Sequence, residues 1–144
     1  MNNMKNKDAD QISIVSAFPQ GKFEITKIID DENLMVYLEN KNAELIISFG
    51  MGVLSYHKIE EECDYDRVEN LMTYLKEKNI ELNTLYQISN SSMIKKITSQ
   101  PLNLLDEDLI KHYLIISCNY LMDIITMDEY SLIESQGVKH SEDG

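Results

Sequence analysis

The feature that most constrains this chain is a succession of short apolar runs, each about as long as a β-strand and each closed by a turn. NLMVYLEN (33–40) alternates strictly, with Leu34, Val36 and Leu38 on one face and Met35, Tyr37 and Glu39 on the other. An extended backbone, whose side chains repeat every second residue, gathers such a set onto one side. FEITKIID (23–30) precedes it across Asp31-Glu32, and Asn40-Lys41-Asn42 leads into AELIISFG (43–50), rich in β-branched and aromatic residues. VLSYHKIE (53–60) resumes the alternation, with Val53, Ser55 and His57 opposite Leu54, Tyr56 and Lys58. Between these two runs, Gly50-Met51-Gly52 reads as a bulge or sharp bend. The four runs are expected to form one antiparallel meander.

Helical spacing then takes over. Asp66-Arg67-Val68-Glu69 has the spacing of a capping box, with Asp66 as N-cap and Glu69 reaching back. Val68, Leu71, Met72 and Leu75 follow at i, i+3, i+4 and i+7, opposite a polar face, and Lys78 and Asn79 close the helix. LYQISN (85–90) reads as a strand. SSMIKKITSQ (91–100) reads as a helix capped by a serine or by Asn90 and stopped by Pro101. Residues 102–108 read as loop or a single turn, and HYLIISC (112–118) and LMDIITM (121–127) as a hairpin about Asn119-Tyr120. The expectation is an α+β fold: one antiparallel sheet of about six strands in mostly hairpin order, with two helices packed on one face. A single domain over 12–135 is expected between a disordered lead (1–11) and a disordered tail (136–144). At 144 residues, with 43% hydrophobic content, the chain can bury one real core.

Charge narrows the function classes. With 25 acidic against 13 basic side chains, the formal net charge is −12. Binding to a nucleic-acid backbone needs clustered cations, and an anionic membrane surface repels such a chain, so neither partner is expected. A negative surface instead favours solubility and fast, steered encounter with a basic protein. Cys63 and Cys118 are the only cysteines and form no CxxC pair, and no stretch is apolar and long enough for a signal or a membrane span. A cytoplasmic protein with reduced thiols is expected, without cofactor or metal. Lysine outnumbers arginine twelve to one, a bias that reads as AT-rich coding with no bearing on mechanism.

HKIEEECDYD (57–66) concentrates a histidine, a cysteine, three glutamates and two aspartates. A nucleophile paired with His57 or His112 is conceivable at Cys63, but Glu61, Glu62 and Asp64 surround that thiol with a field that disfavours the thiolate. The ligand-type residues His57, Cys63, Asp64 and Asp66 match neither zinc spacing nor an EF-hand loop. FGMGV is no phosphate cradle, and no GxSxG elbow is present. His140 falls in the expected tail. Three carboxylate groups remain: Asp30, Asp31 and Glu32 at a turn; Glu60, Glu61, Glu62, Asp64 and Asp66 between a strand and a helix; and Asp106, Glu107 and Asp108. They read either as solvated loops or as a docking surface for a cationic protein. On the second reading the partner-binding residues are Asp30, Asp31, Glu32, Tyr56, Glu60, Glu61, Glu62, Asp64 and Tyr65, the two tyrosines flanking the largest group as anchors.

The segments NLMVYLENKNAELIISFGMGVLSYHKIEEE, LYQISNSSMIKKI and KHYLIISCNYLMDIIT carry a resemblance. In them Ser55-Tyr56-His57 is followed by Glu60, Glu61 and Glu62, and Ile88-Ser89-Asn90-Ser91 by Ile94 and Ile97, before the hairpin opening at Lys111-His112-Tyr113. Over about residues 23–130 the chain resembles a group of small acidic proteins of low-GC Gram-positive bacteria. Many of these are encoded beside polymorphic toxins and look like immunity proteins. The resemblance implies stoichiometric inhibition: the protein binds a cognate toxin domain, one with a basic surface, in the cytoplasm and performs no chemistry itself. Two other readings stay open. One is a small cytoplasmic regulatory or scaffold protein that uses a sheet edge or forms a homodimer. The other is an enzyme using His57, His112 and carboxylates.

Overall fold

The computed structural model describes residues 10–15, 18–19, 21–101 and 103–134. Nine strands and two helices fall within them: β1 (Gln11–Ile14), β2 (Glu24–Asp30), β3 (Leu34–Glu39), β4 (Glu44–Ser48), β5 (Val53–Glu60), α1 (Tyr65–Glu77), β6 (Leu85–Ser89), α2 (Ser92–Thr98), β7 (Lys111–Ile116), β8 (Tyr120–Thr126) and β9 (Ser131–Glu134). The fold is α+β, and all strand pairs are antiparallel. The expected single sheet, however, is two: five strands in the order β1-β6-β7-β8-β5 and four in the order β2-β3-β4-β9.

The apolar content of β7 and β8 explains the second sheet. Residues 112–115 and 121–126 are buried without interruption, so these strands need cover on both faces. Tyr113, Ile115, Met122 and Ile124 meet Val36, Leu38, Leu45 and Ile47 of the four-stranded sheet in one core. On the opposite face Leu114 and Leu121 pack against Leu71 and Leu75 of α1, and Ile125 against Ile94 of α2. The result is three layers, sheet on sheet on helices, with both helices on one face as expected.

The meander is also shorter than expected. β2, β3 and β4 are consecutive neighbours, but β5 pairs with β8. The chain changes sheet at Gly50-Met51-Gly52. Gly50 has φ +85 and lies against the Asp128 side chain, so a Cβ at this position would collide with that carboxylate. Asp128 Oδ2 in turn accepts a hydrogen bond from the Gly52 amide (2.8 Å). The glycines therefore mark a crossover, and the register shift lies one step later, between Val53 and Ser55. That shift turns His57 to the face opposite Val53, where it stands across from Asp123, and not to the shared face that simple alternation predicts.

Both helices form where apolar spacing places them, but only the second cap is as expected. Ser91 caps α2, its Oγ accepting from the Ile94 amide (3.1 Å). Asp66 does not cap α1. The chain leaves β5 through a 3-10 turn at Glu61–Asp64 that runs straight into the helix, so Asp66 already lies in its first turn and the capping box does not form. Two short edge strands, β1 and β9, are additional to the seven runs read as strands. Gln11 opens β1, while the rest of the lead before Asp10 and the tail at 136–144, with His140, lie outside the described residues.

Candidate functional site

The nine partner-binding candidates fall at the two ends of one strand. β5 is the outer strand of the five-stranded sheet, and residues 54–58 are exposed. At its start Asp30, Asp31, Glu32 and Tyr56 come together around a polar cleft of about 280 Å³, whose wall also includes Gly50 and Met51. The Tyr56 hydroxyl faces Asp30; burial first, and then that carboxylate, push it above the usual phenol range. At the far end Glu60 and Glu62 are exposed and Glu61 and Asp64 half-buried along the 3-10 turn, with Tyr65 63% exposed at the head of α1. Along the strand, Tyr56 of the first group and Glu60 of the second are four residues apart, about 13 Å. The cation between them, Lys58, folds over the Tyr120 ring, 3.8 Å from its centroid. The third acidic group stands apart: Asp106 Oδ1 accepts from the Asp108 amide and caps a 3-10 turn at Glu107–Leu109.

A second constellation was not expected from sequence. Asp123 on β8 is 1% exposed and accepts a bidentate pair from Arg67 on α1, Nη1 to Oδ2 at 2.6 Å and Nη2 to Oδ1 at 2.9 Å. His112 Nε2 on β7 lies 2.7 Å from the same Oδ1, and its Nδ1 lies 2.7 Å from Ser91 Oγ at the head of α2. Burial alone would raise the Asp123 carboxyl, but the hydrogen bonds from Arg67 and His112, and the charge of the guanidinium, outweigh it and hold the group at about 2. The same pair raises the Arg67 guanidinium. One imidazole proton, on Nε2, satisfies the whole chain: Ser91 donates to Nδ1, His112 donates to Asp123, and Ser91 Oγ accepts from the Ile94 amide. Among the described residues, every buried side-chain nitrogen or oxygen has a partner.

A serine, a histidine and an aspartate linked in that order by hydrogen bonds are the parts of an acyl-transfer triad. Here the geometry serves packing. Ser91 is 3% exposed and His112 fully enclosed, so no substrate reaches the hydroxyl, whose lone pair is committed to the helix cap. The four side chains tie both helices to the two central strands. Two sequence signals marked them. His112 and Asp123 are polar residues inside continuous apolar runs, where burial demands a partner. Arg67 is the single arginine of the chain, and its planar fork is what a buried carboxylate needs for two parallel hydrogen bonds.

Cys63 and Cys118 are both free and exposed. His57 is exposed on β5, and no group of three or more His, Cys, Asp or Glu side chains among the described residues is arranged to hold a metal ion. No helix among them is long and apolar enough to cross a membrane. Compared with protein-family models, curated proteins and solved structures, the chain matches none.

Proposed function

We propose that this protein is a binding module of the immunity type, which neutralises a cognate bacterial toxin domain by stoichiometric contact and not by chemistry. The observation that carries the reading is the bracketing of the exposed edge strand β5 by two acidic groups, Asp30–Glu32 at its start and Glu60–Asp64 at its end. Negative charge at both ends of a rigid strand offers a basic protein a long-range attraction and a fixed register. Toxin domains that act on nucleic acid carry cations around their active sites to hold phosphates, and such a surface complements this edge. Tyr56 and Tyr65 supply aromatic area within the same line.

The test is to look for a toxin domain encoded by a neighbouring gene and to measure association with it. The association rate is expected to fall steeply as salt rises to about 0.5 M, where the Debye length is only a few ångströms. Glu60→Lys with Glu62→Lys is expected to slow association about tenfold without loss of fold, since both side chains are exposed. An unchanged rate in that variant would place the interface elsewhere. A second reading, a regulatory or scaffold protein working as a homodimer, draws on the same exposed β5 edge, which no described strand pairs on its outer side. Sedimentation of the chain alone separates the two: the immunity reading expects a monomer.

A further inference from the structure

The apolar face of α1 is not fully covered. Val68, Leu71, Met72 and Leu75 share the helical stripe, yet Met72 stops half-buried and opens into a cleft of about 430 Å³ walled by Phe23, Leu82, Ile116, Cys118 and Glu61. Leu82 stands at its lip, 62% exposed. Glu61 belongs to this cleft and to the acidic row at once, with Glu60 and Glu62 beside it in the chain. A largely apolar hollow with one carboxylate, Glu61, and one cation, Lys22, among its lining residues, and with the acidic row continuing from Glu61, has the composition of an interface anchor: the hollow supplies the energy of desolvation and the adjoining row supplies orientation.

We propose that this cleft receives an apolar side chain from a cationic segment of the protein partner, the neighbouring basic residues of that segment lying against Glu60, Glu61 and Glu62. The inference rests on the acidic docking edge proposed above and assigns the place where its contact energy is concentrated. Burial of part of the Glu61 carboxylate, which pushes its titration up, agrees with a group already at the border of the apolar hollow. A free volume of this size accommodates one large aliphatic or aromatic side chain, as a ligand pocket of moderate size does.

Two peptides test it on the full chain labelled with 15N: acetyl-Lys-Lys-Leu-Lys-Lys-amide and the same peptide with Ala in place of Leu. Both are expected to shift the amides of residues 60–64. The Leu peptide alone is expected to shift those of Phe23, Met72, Thr84 and Ser117 as well, and to bind about tenfold more tightly. A bulky maleimide placed on Cys118, in a Cys63→Ser chain, is expected to erase the difference between the peptides while leaving the Ala peptide bound. Equal affinity of the two peptides, with no shift in the cleft, would overturn the anchor pocket and leave the acidic edge standing. Absence of any shift at residues 60–64 with either peptide would instead remove the edge, and the anchor proposal with it.

Discussion

At the scale of single residues, the chain from Arg67 through Asp123 and His112 to Ser91 has the clearest energetic consequence. Asp123 titrates at about 2 when folded, against 3.8 for the free group. The folded state therefore binds this proton less readily than the unfolded state does. Its contribution, about 2 kcal/mol, is complete above about pH 4 and is lost as the pH falls through about 2. Urea unfolding measured across that window is expected to show the loss in the native chain, and Asp123→Asn is expected to flatten it. Equal slopes for the two would mean that the carboxyl is not held as described. Arg67→Ala, which leaves the buried carboxylate with half its partners, is expected to cost about 3 kcal/mol at neutral pH. This site was only half legible. His112 stood out as a histidine and Asp123 as a charge within an apolar run, but the lone arginine read as coding bias and nothing in the sequence joined the three. The hairpin of β7 and β8, which brings His112 beside Asp123, was readable; sequence spacing carries no record that α1 and α2 bring Arg67 and Ser91 to the same place.

Among the elements, legibility followed locality. Strands β3 and β4 and both helices were readable because each pattern is complete within one segment: Leu34, Val36 and Leu38 on one face, Leu71 and Leu75 on another. What failed was long-range. Four-residue strands such as β1 and β9 bury too little to leave a periodic mark, and the choice of β5 between β4 and β8 is made at Gly50, outside any strand. That position makes the crossover testable. Gly50 has φ +85, and a methyl group there would strike the Asp128 carboxylate. Gly50→Ala is expected to destabilise by about 2 kcal/mol, combining left-handed backbone strain with the clash. In an Asp128→Ala background, which loses the Gly52 hydrogen bond on its own account, Gly50→Ala is expected to cost less than it does in the native chain but still something, because the clash is gone while the backbone strain stays. Strictly additive effects in the double variant would show that the two residues do not touch.

For the molecule as a whole, the net charge of −12 acts on folding and on association with opposite sign. Like charges spread over a small surface repel, and folding brings them closer, so the compact state carries an electrostatic cost that added salt screens. The Arg67–Asp123 pair, enclosed between α1 and β8, is far less open to screening than the exposed carboxylates are. Moderate salt is therefore expected to raise the melting temperature of the free protein by a few degrees, roughly the effect of 1 kcal/mol in a domain of this size. The same salt is expected to slow capture of the cationic partner proposed for β5, where attraction and not repulsion would be screened. Measured side by side on one preparation, thermal stability and association rate should move in opposite directions with ionic strength. Stability that fell with salt would mean that exposed ion pairs outweigh the net repulsion, and the acidic surface would then be bound up in the fold itself. Rising stability with falling association rate is the pattern that a surface charged for a partner, and against its own compactness, must show.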